Sequence, residues 1–140
     1  MGLDMYACSV DEEDHPMTME DELPESEFSW RKHTKLHQFM HDYYYNQVEA
    51  GNIIQDQEHV DSHPLGAFNC IPLYLPKEKL EELQDIIKSD KLPESDGGFF
   101  WGQQWQDQTA IEEKDKDLKF CEWALDETKK GNYIYYSCWF

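Results

Sequence analysis

Apolar residues along the chain recur at two spacings, and the switches between them mark seven candidate elements in 140 residues. LDMYACSV (residues 3–10) alternates as a first strand does. Leu36, Phe39, Met40, Tyr43 and Tyr44 then recur at helical spacing and predict a helix over residues 33–48. A polar stretch with glycines and a proline follows and reads as a loop. FNCIPLYL (residues 68–75) predicts a strand with an edge position or bulge at Pro72. Pro76 suits the first turn of a second helix, whose buried stripe is Leu80, Leu83, Ile86 and Ile87. Residues 98–101 predict a short strand. Thr109 and Glu112 have capping-box spacing for a third helix, faced by Ile111, Leu118, Cys121 and Leu125 and stopped by Gly131. NYIYYSCWF closes the chain as a fourth strand.

Four strands that do not strictly alternate with three helices predict a single α+β domain, a mostly antiparallel sheet packed on one face by helices. The last strand carries more information than the others. Ile134, Tyr136, Cys138 and Phe140 point one way, as a helix-covered core face requires. Tyr133, Tyr135, Ser137 and Trp139 point the other way and are too aromatic for an ordinary wet face. That second face must be covered by a loop or arm, buried in a homodimer, or offered to a partner.

Charge changes this picture mainly near the N-terminus. Residues 1–27 hold ten acids and no Lys or Arg, a charge of −10, and residues 28–140 hold twenty acids and twelve bases, a charge of −8. DEEDHPMTMEDELPESE (residues 11–27) therefore reads as an exposed acidic arm or loop. Two roles fit it: solubility, or a row of carboxylates that meets a basic surface and imitates nucleic acid. The same charge argues against direct binding to nucleic acid. No run of eighteen apolar residues predicts a membrane span. The first ten residues carry Asp4 and no base, unlike a secretory signal, so a cytoplasmic protein is expected. Cys8, Cys70, Cys121 and Cys138 form no CxxC pair and are expected as free, buried thiols.

Several motifs occur together in order: MGLDMY at the start, WRK followed by a histidine (Trp30, Arg31, Lys32, His37), GFFWG (residues 98–102) and YYSCW (residues 135–139). The combination resembles a family of small uncharacterised proteins from bacteriophage and bacterial genomes. Its members begin MGLDMY, carry a WRK-and-His segment and a GFFFG-like segment, and end in a YYxSW-like strand. The likeness spans the whole chain and implies a phage or phage-derived origin, but no particular activity. Trp101 stands where the family has Phe, Cys138 where a small residue is expected, and the acidic arm is longer than usual.

These residues also define the candidate site. Arg31 and Lys32 offer a fork and a point charge for an anion. Trp30, Phe99, Phe100, Trp101, Tyr135 and Trp139 offer flat surfaces for stacking. With His37 they compose a ligand-binding set suited to an anionic, aromatic, nucleotide-like molecule. The same aromatics also read as core and the same bases as solvated. No phosphate-loop motif is present, and GGFFWGQQW (residues 97–105) is either core or platform. His33, His37 and His41 recur every four residues, as do His59 and His63. Such pairs can hold a metal ion, but no HExxH accompanies them, they read equally as boundary histidines, and no cofactor is expected.

No catalytic residues are assigned: a His37–Arg31 pair is conceivable for phosphodiester cleavage, but nothing orients it. The sequence therefore points to a non-enzymatic, phage-encoded intracellular protein that binds a host factor or an anionic aromatic ligand. The alternatives are an acidic nucleic-acid mimic that inhibits a DNA-binding host protein, and a small nucleotide- or phosphodiester-processing enzyme.

Overall fold

The computed structural model describes residues 3–18, 21–63, 66–95 and 106–139. The elements run β1 (Asp4–Val10), β2 (Phe28–Arg31), α1 (Thr34–Glu49), α2 (Gln57–Ser62), β3 (Leu73–Leu75), α3 (Lys77–Lys88), α4 (Gln106–Lys129) and β4 (Tyr133–Trp139). The four strands form one antiparallel sheet in the order β2-β1-β4-β3, so the α+β expectation holds.

One face of the sheet carries the main core. Met5 and Ala7 of β1, Trp30 of β2, Leu73 and Leu75 of β3, and Ile134, Tyr136 and Cys138 of β4 pack against the helices. The helices answer with Leu36, Phe39, Met40 and Tyr44 from α1, Leu80, Leu83 and Ile87 from α3, and Phe120, Cys121 and Ala124 from α4. Each large side chain buried here stabilises the fold by about 1.5–3 kcal/mol over its exposed state.

Helix ends follow from local chemistry. The N–H of Asn52 bonds Gln47 O and that of Gly51 bonds Val48 O, with Gly51 at φ +81°. The N–H groups of Asn132 and Gly131 repeat the pattern on Glu127 and Thr128, with Gly131 at φ +91°. Both are left-handed caps of the kind glycine favours, as Gly131 predicted. α3 ends the same way, through Lys91 to Ile86 and Asp90 to Ile87, but the left-handed residue is Asp90 at φ +57°.

Four elements differ from the sequence pattern. Phe28–Arg31 pairs with β1 as an edge strand, although four residues at the end of the acidic arm gave no periodic signal. FNCIPLYL is a strand only over its last three residues, because residues 67–70 form a turn, Cys70 sits at φ +65°, and Pro72 has no N–H to donate. α2 stands in the expected loop, capped by the Asp56 carboxylate on the N–H groups of Glu58 and His59. α4 already includes Gln106, so Thr109 lies inside the helix and caps nothing. The strand expected at residues 98–101 lies outside the described residues.

Candidate functional site

Strand register decides which outer-face side chains meet. Asp4 is opposite Arg31 on one side and Trp139 on the other, so three strands place these residues in one row. The next row is Ser29, Tyr6 and Ser137. Beyond it lie Cys8, Tyr135 and Tyr74, and then Val10 with Tyr133.

The acidic arm covers the last two rows. Met17 and Leu23 pack on Cys8, Val10 and Tyr135, and the His15 ring lies flat on Tyr133, with centroids 3.7 Å apart and planes 5° from parallel. The Met17 N–H donates to the Tyr135 hydroxyl oxygen at 2.9 Å. That leaves the hydroxyl proton for His15 Nδ1, 2.7 Å away. Burial lowers the His15 pKa and raises that of Tyr135, which keeps the imidazole an acceptor and the phenol a donor. The arm is thus a docked cover whose carboxylates at Asp11, Glu12, Glu13 and Asp14 stay exposed.

The first two rows remain open at Arg31, Trp139, Tyr6 and Ser29, while Ser137 is buried. Trp139 is 60% exposed and Tyr6 38%. Arg31 Nε is 3.8 Å from Asp4 Oδ1, with the arginine side chain 76% exposed, a surface pair that adds little stability and leaves the guanidinium available. On the edge beside them, Lys116 Nζ donates to Ser29 O, which blocks a carbonyl that a foreign strand could otherwise pair with.

No protein-family model, curated protein or solved structure matches the chain.

The sheet divides the expected site. Arg31 and Trp139 share the open row, and Lys32 follows them, exposed and at φ +58°, its N–H on Leu3 O at 2.8 Å. Tyr135 is on the same face but under the arm. Trp30 and His37 are on the opposite, helix-packed side. Trp30 donates its indole N–H to Asp117 Oδ1 at 2.8 Å, and His37 Nδ1 is 2.8 Å from the Tyr136 hydroxyl. Burial, with the neighbouring His41 charge, holds the His37 pKa down to about 3, so it is a neutral core histidine. A His37–Arg31 pair does not form. Phe99, Phe100 and Trp101 lie outside the described residues.

The interior holds a polar cluster that composition alone did not single out. Asp117 of α4 is fully buried and accepts from Trp30 and, at 2.6 Å, from His33 Nε2. Burial raises the Asp117 pKa, while the bonds from His33 and Trp30 act against that rise. His33 Nδ1 is buried without a hydrogen-bond partner. The cluster ties β2, the start of α1 and the middle of α4 together.

The remaining candidate chemistry has local uses. His59 and His63 stack at 4.1 Å and bond the carbonyls of Ala67 and His59. Among the described residues, no group of three or more His, Cys, Asp or Glu is arranged to hold a metal ion. All four cysteines are free, but Cys70 is exposed rather than buried. Burial pushes the Cys8 thiol up to about 11 and that of Cys121 up to about 12, far from thiolate reactivity at neutral pH. No helix among the described residues is long and apolar enough to cross a membrane.

Proposed function

We infer that this chain is a non-catalytic binding protein whose contact surface is the open end of the outer sheet face. The observation that carries this reading is the exposed Arg31–Asp4–Trp139 row with Tyr6 beside it. Trp, Tyr and Arg are the residue types that dominate binding energy at protein interfaces, and here they stand on a flat, rigid sheet. A flat face suits a protein partner better than a small nucleotide-like ligand, which needs a concave site. The docked arm holds exposed carboxylates on the adjoining half of the same face, so the partner is expected to be basic there. The motif resemblance supports a phage-encoded protein that meets this partner inside a bacterial cell.

Nucleic-acid mimicry is the second reading, favoured by the docking of the arm, which fixes its carboxylates in place rather than leaving them on a free tail. Deleting residues 11–27 is a poor test, because it would strip the cover from Val10 and Tyr135. Changing Glu12, Glu13, Glu22 and Glu25 to Gln leaves that cover intact.

The experiment is site-specific photo-crosslinking in bacterial cells with a benzophenone amino acid at position 139, compared with one at exposed Glu81. A partner captured from position 139 is then purified, and its affinity is measured directly. Trp139→Ala and Arg31→Ala are each expected to weaken it at least tenfold. Capture only from position 81, or wild-type affinity in both variants, refutes the site. Mimicry gains if the four-Gln variant loses binding while Trp139→Ala keeps it. Capture of a second copy of this chain makes the face a homodimer interface instead.

A further inference from the structure

A concave site lies at the arm-covered end of the sheet, away from the Arg31–Trp139 row. A cavity of about 630 Å³ opens between the arm, the C-terminal half of α1, the segment before α2 and the approach to β3. That is within the range of small-molecule sites. Its floor is built from Tyr44 and Tyr135, both almost fully buried, and its walls include the half-buried rings of Tyr43 and Tyr74. Ile53 and Ile71 add apolar surface. Ile54 stands at the rim, 93% exposed, an apolar side chain with no packing role in the free protein.

The polar side chains of the lining are mostly uncharged, with the His15 and His59 rings and the Asp56 carboxylate among them. Gln47 accepts from the Asn52 amide at 3.0 Å, and Gln55 donates to the Tyr44 hydroxyl at 3.4 Å. Side-chain amides offer both a donor and an acceptor to the edge of a planar ring. All twelve lysines and arginines of the chain are among the described residues, and none lines the cavity. Asp56 is the charged side chain in the lining, and the surrounding protein carries net negative charge. An anion entering here would meet the Asp56 carboxylate and no Lys or Arg, while a neutral or positive ring would meet aromatic faces that attract it.

We propose that this tyrosine-lined cleft is a binding site for a flat heteroaromatic molecule that is neutral or singly positive. It is separate from the open-row site, and its ligand class excludes the nucleotide-like anion that the Arg31, Lys32 and aromatic motif residues suggested.

The test is a charge series on one ring system: indole (neutral), tryptamine (cation) and indole-3-acetate (anion), titrated into the millimolar range and followed by amide shifts in two-dimensional NMR. Indole and tryptamine are expected to bind with saturable shifts at Tyr43, Tyr44 and Tyr74, with indole-3-acetate at least tenfold weaker. Ile54→Ser, at a fully solvated position that cannot unfold the protein, weakens indole about threefold or more. Gln47→Lys reverses the series, so that the anion gains at least tenfold and tryptamine loses. Trp139→Ala changes none of these affinities. The proposal is overturned if neither indole nor tryptamine saturates, if the anion binds as tightly as the cation, or if the shifts map to the Arg31–Asp4–Trp139 row and Tyr6.

Discussion

Replacing Asp117 by Ala should destabilise the fold by about 2–4 kcal/mol, and the number follows from the two bonds it accepts. The substitution leaves the Trp30 indole N–H and the His33 Nε2–H buried without an acceptor. Each buried, unsatisfied donor costs about 1–3 kcal/mol, which sets a gross loss of about 2–6 kcal/mol. Part of this is offset, because burial raises the Asp117 pKa and the ionised carboxylate therefore carries a desolvation cost that Ala does not. Asp117→Asn should fall between the two. Its amide oxygen keeps the indole bond, and His33 can turn its Nε2 lone pair to the amide N–H₂ only by placing a proton on buried, unpartnered Nδ1.

The assay is urea unfolding at pH 7, where a loss of that size moves the midpoint by about 1–2 M for slopes of about 1–3 kcal/mol per M. Trp30→Phe supplies the second side of a double-mutant cycle, with an expected coupling of about 1–2 kcal/mol between positions 30 and 117. There is also a pH signature. A carboxyl raised above its ordinary value of 3.8 favours the folded state below that value, and this contribution disappears as pH rises through the folded pKa. Asp117→Ala should lack that component. An Ala variant within about 0.5 kcal/mol of wild type, or no coupling to position 30, would refute the claim that this cluster pins α4 to β2.

Two further perturbations are expected to move stability by calculable amounts. His37 is neutral in the core with a pKa near 3 against an ordinary 6.5, so its contribution is complete above pH 6.5 and is lost as pH falls towards 3. Between pH 6 and 4 it should supply a slope of about 1.4 kcal/mol per pH unit, which His37→Gln removes in chemical denaturation while still offering Tyr136 an acceptor. Asp90→Gly should stabilise by up to about 1 kcal/mol, since the matching cap positions after α1 and α4 are already glycine, less a few tenths for the exposed pair with Lys114. Thermal melts that show a loss on Asp90→Gly would mean that the pair outweighs the backbone.

The parts of the fold legible in the sequence were those whose signal is local and periodic. β1, β4, α1 and α3 each bury a face that repeats every two or 3.6 residues, and their positions could be read directly. β2 could not, because FSWR is too short to show a period and becomes a strand only by pairing with β1. Polar Gln106, Asp107 and Gln108 likewise hid the start of α4. The site shows the same division. Alternation in β4 put Trp139 on the outer face, but its neighbours Asp4 and Tyr6 depend on β1 lying between β2 and β4, a non-local fact. Trp30 and His37 look like ligand groups by residue type, yet each has its polar atom spent inside, on Asp117 and Tyr136. Within the described part of the arm, isolated His15, Met17 and Leu23 pack on the sheet, and separated side chains in a carboxylate-rich run give no pattern to read.

That arrangement of the arm also separates two ways of binding a partner. The carboxylates of residues 11–14 follow Val10, at the far end of β1 from the open row, so they act on an approaching basic protein at long range, and Trp139 and Tyr6 act only on contact. Charges at the rim of an interface change mainly the association rate, and aromatic anchors at its centre change mainly dissociation. With a crosslinked partner in hand, the four-Gln variant should therefore slow association and flatten its salt dependence, with the dissociation rate nearly unchanged. Trp139→Ala should do the reverse, speeding dissociation at least tenfold with association within about threefold of wild type. Surface plasmon resonance at 50 and 300 mM salt separates the two, because exposed charges are screened within about 10 Å at 0.1 M and within less at higher salt. If the four-Gln variant instead accelerates dissociation at high salt as well, the carboxylates are in direct contact with the partner. The arm, not the open row, is then the binding surface, and the mimicry reading replaces the one preferred here.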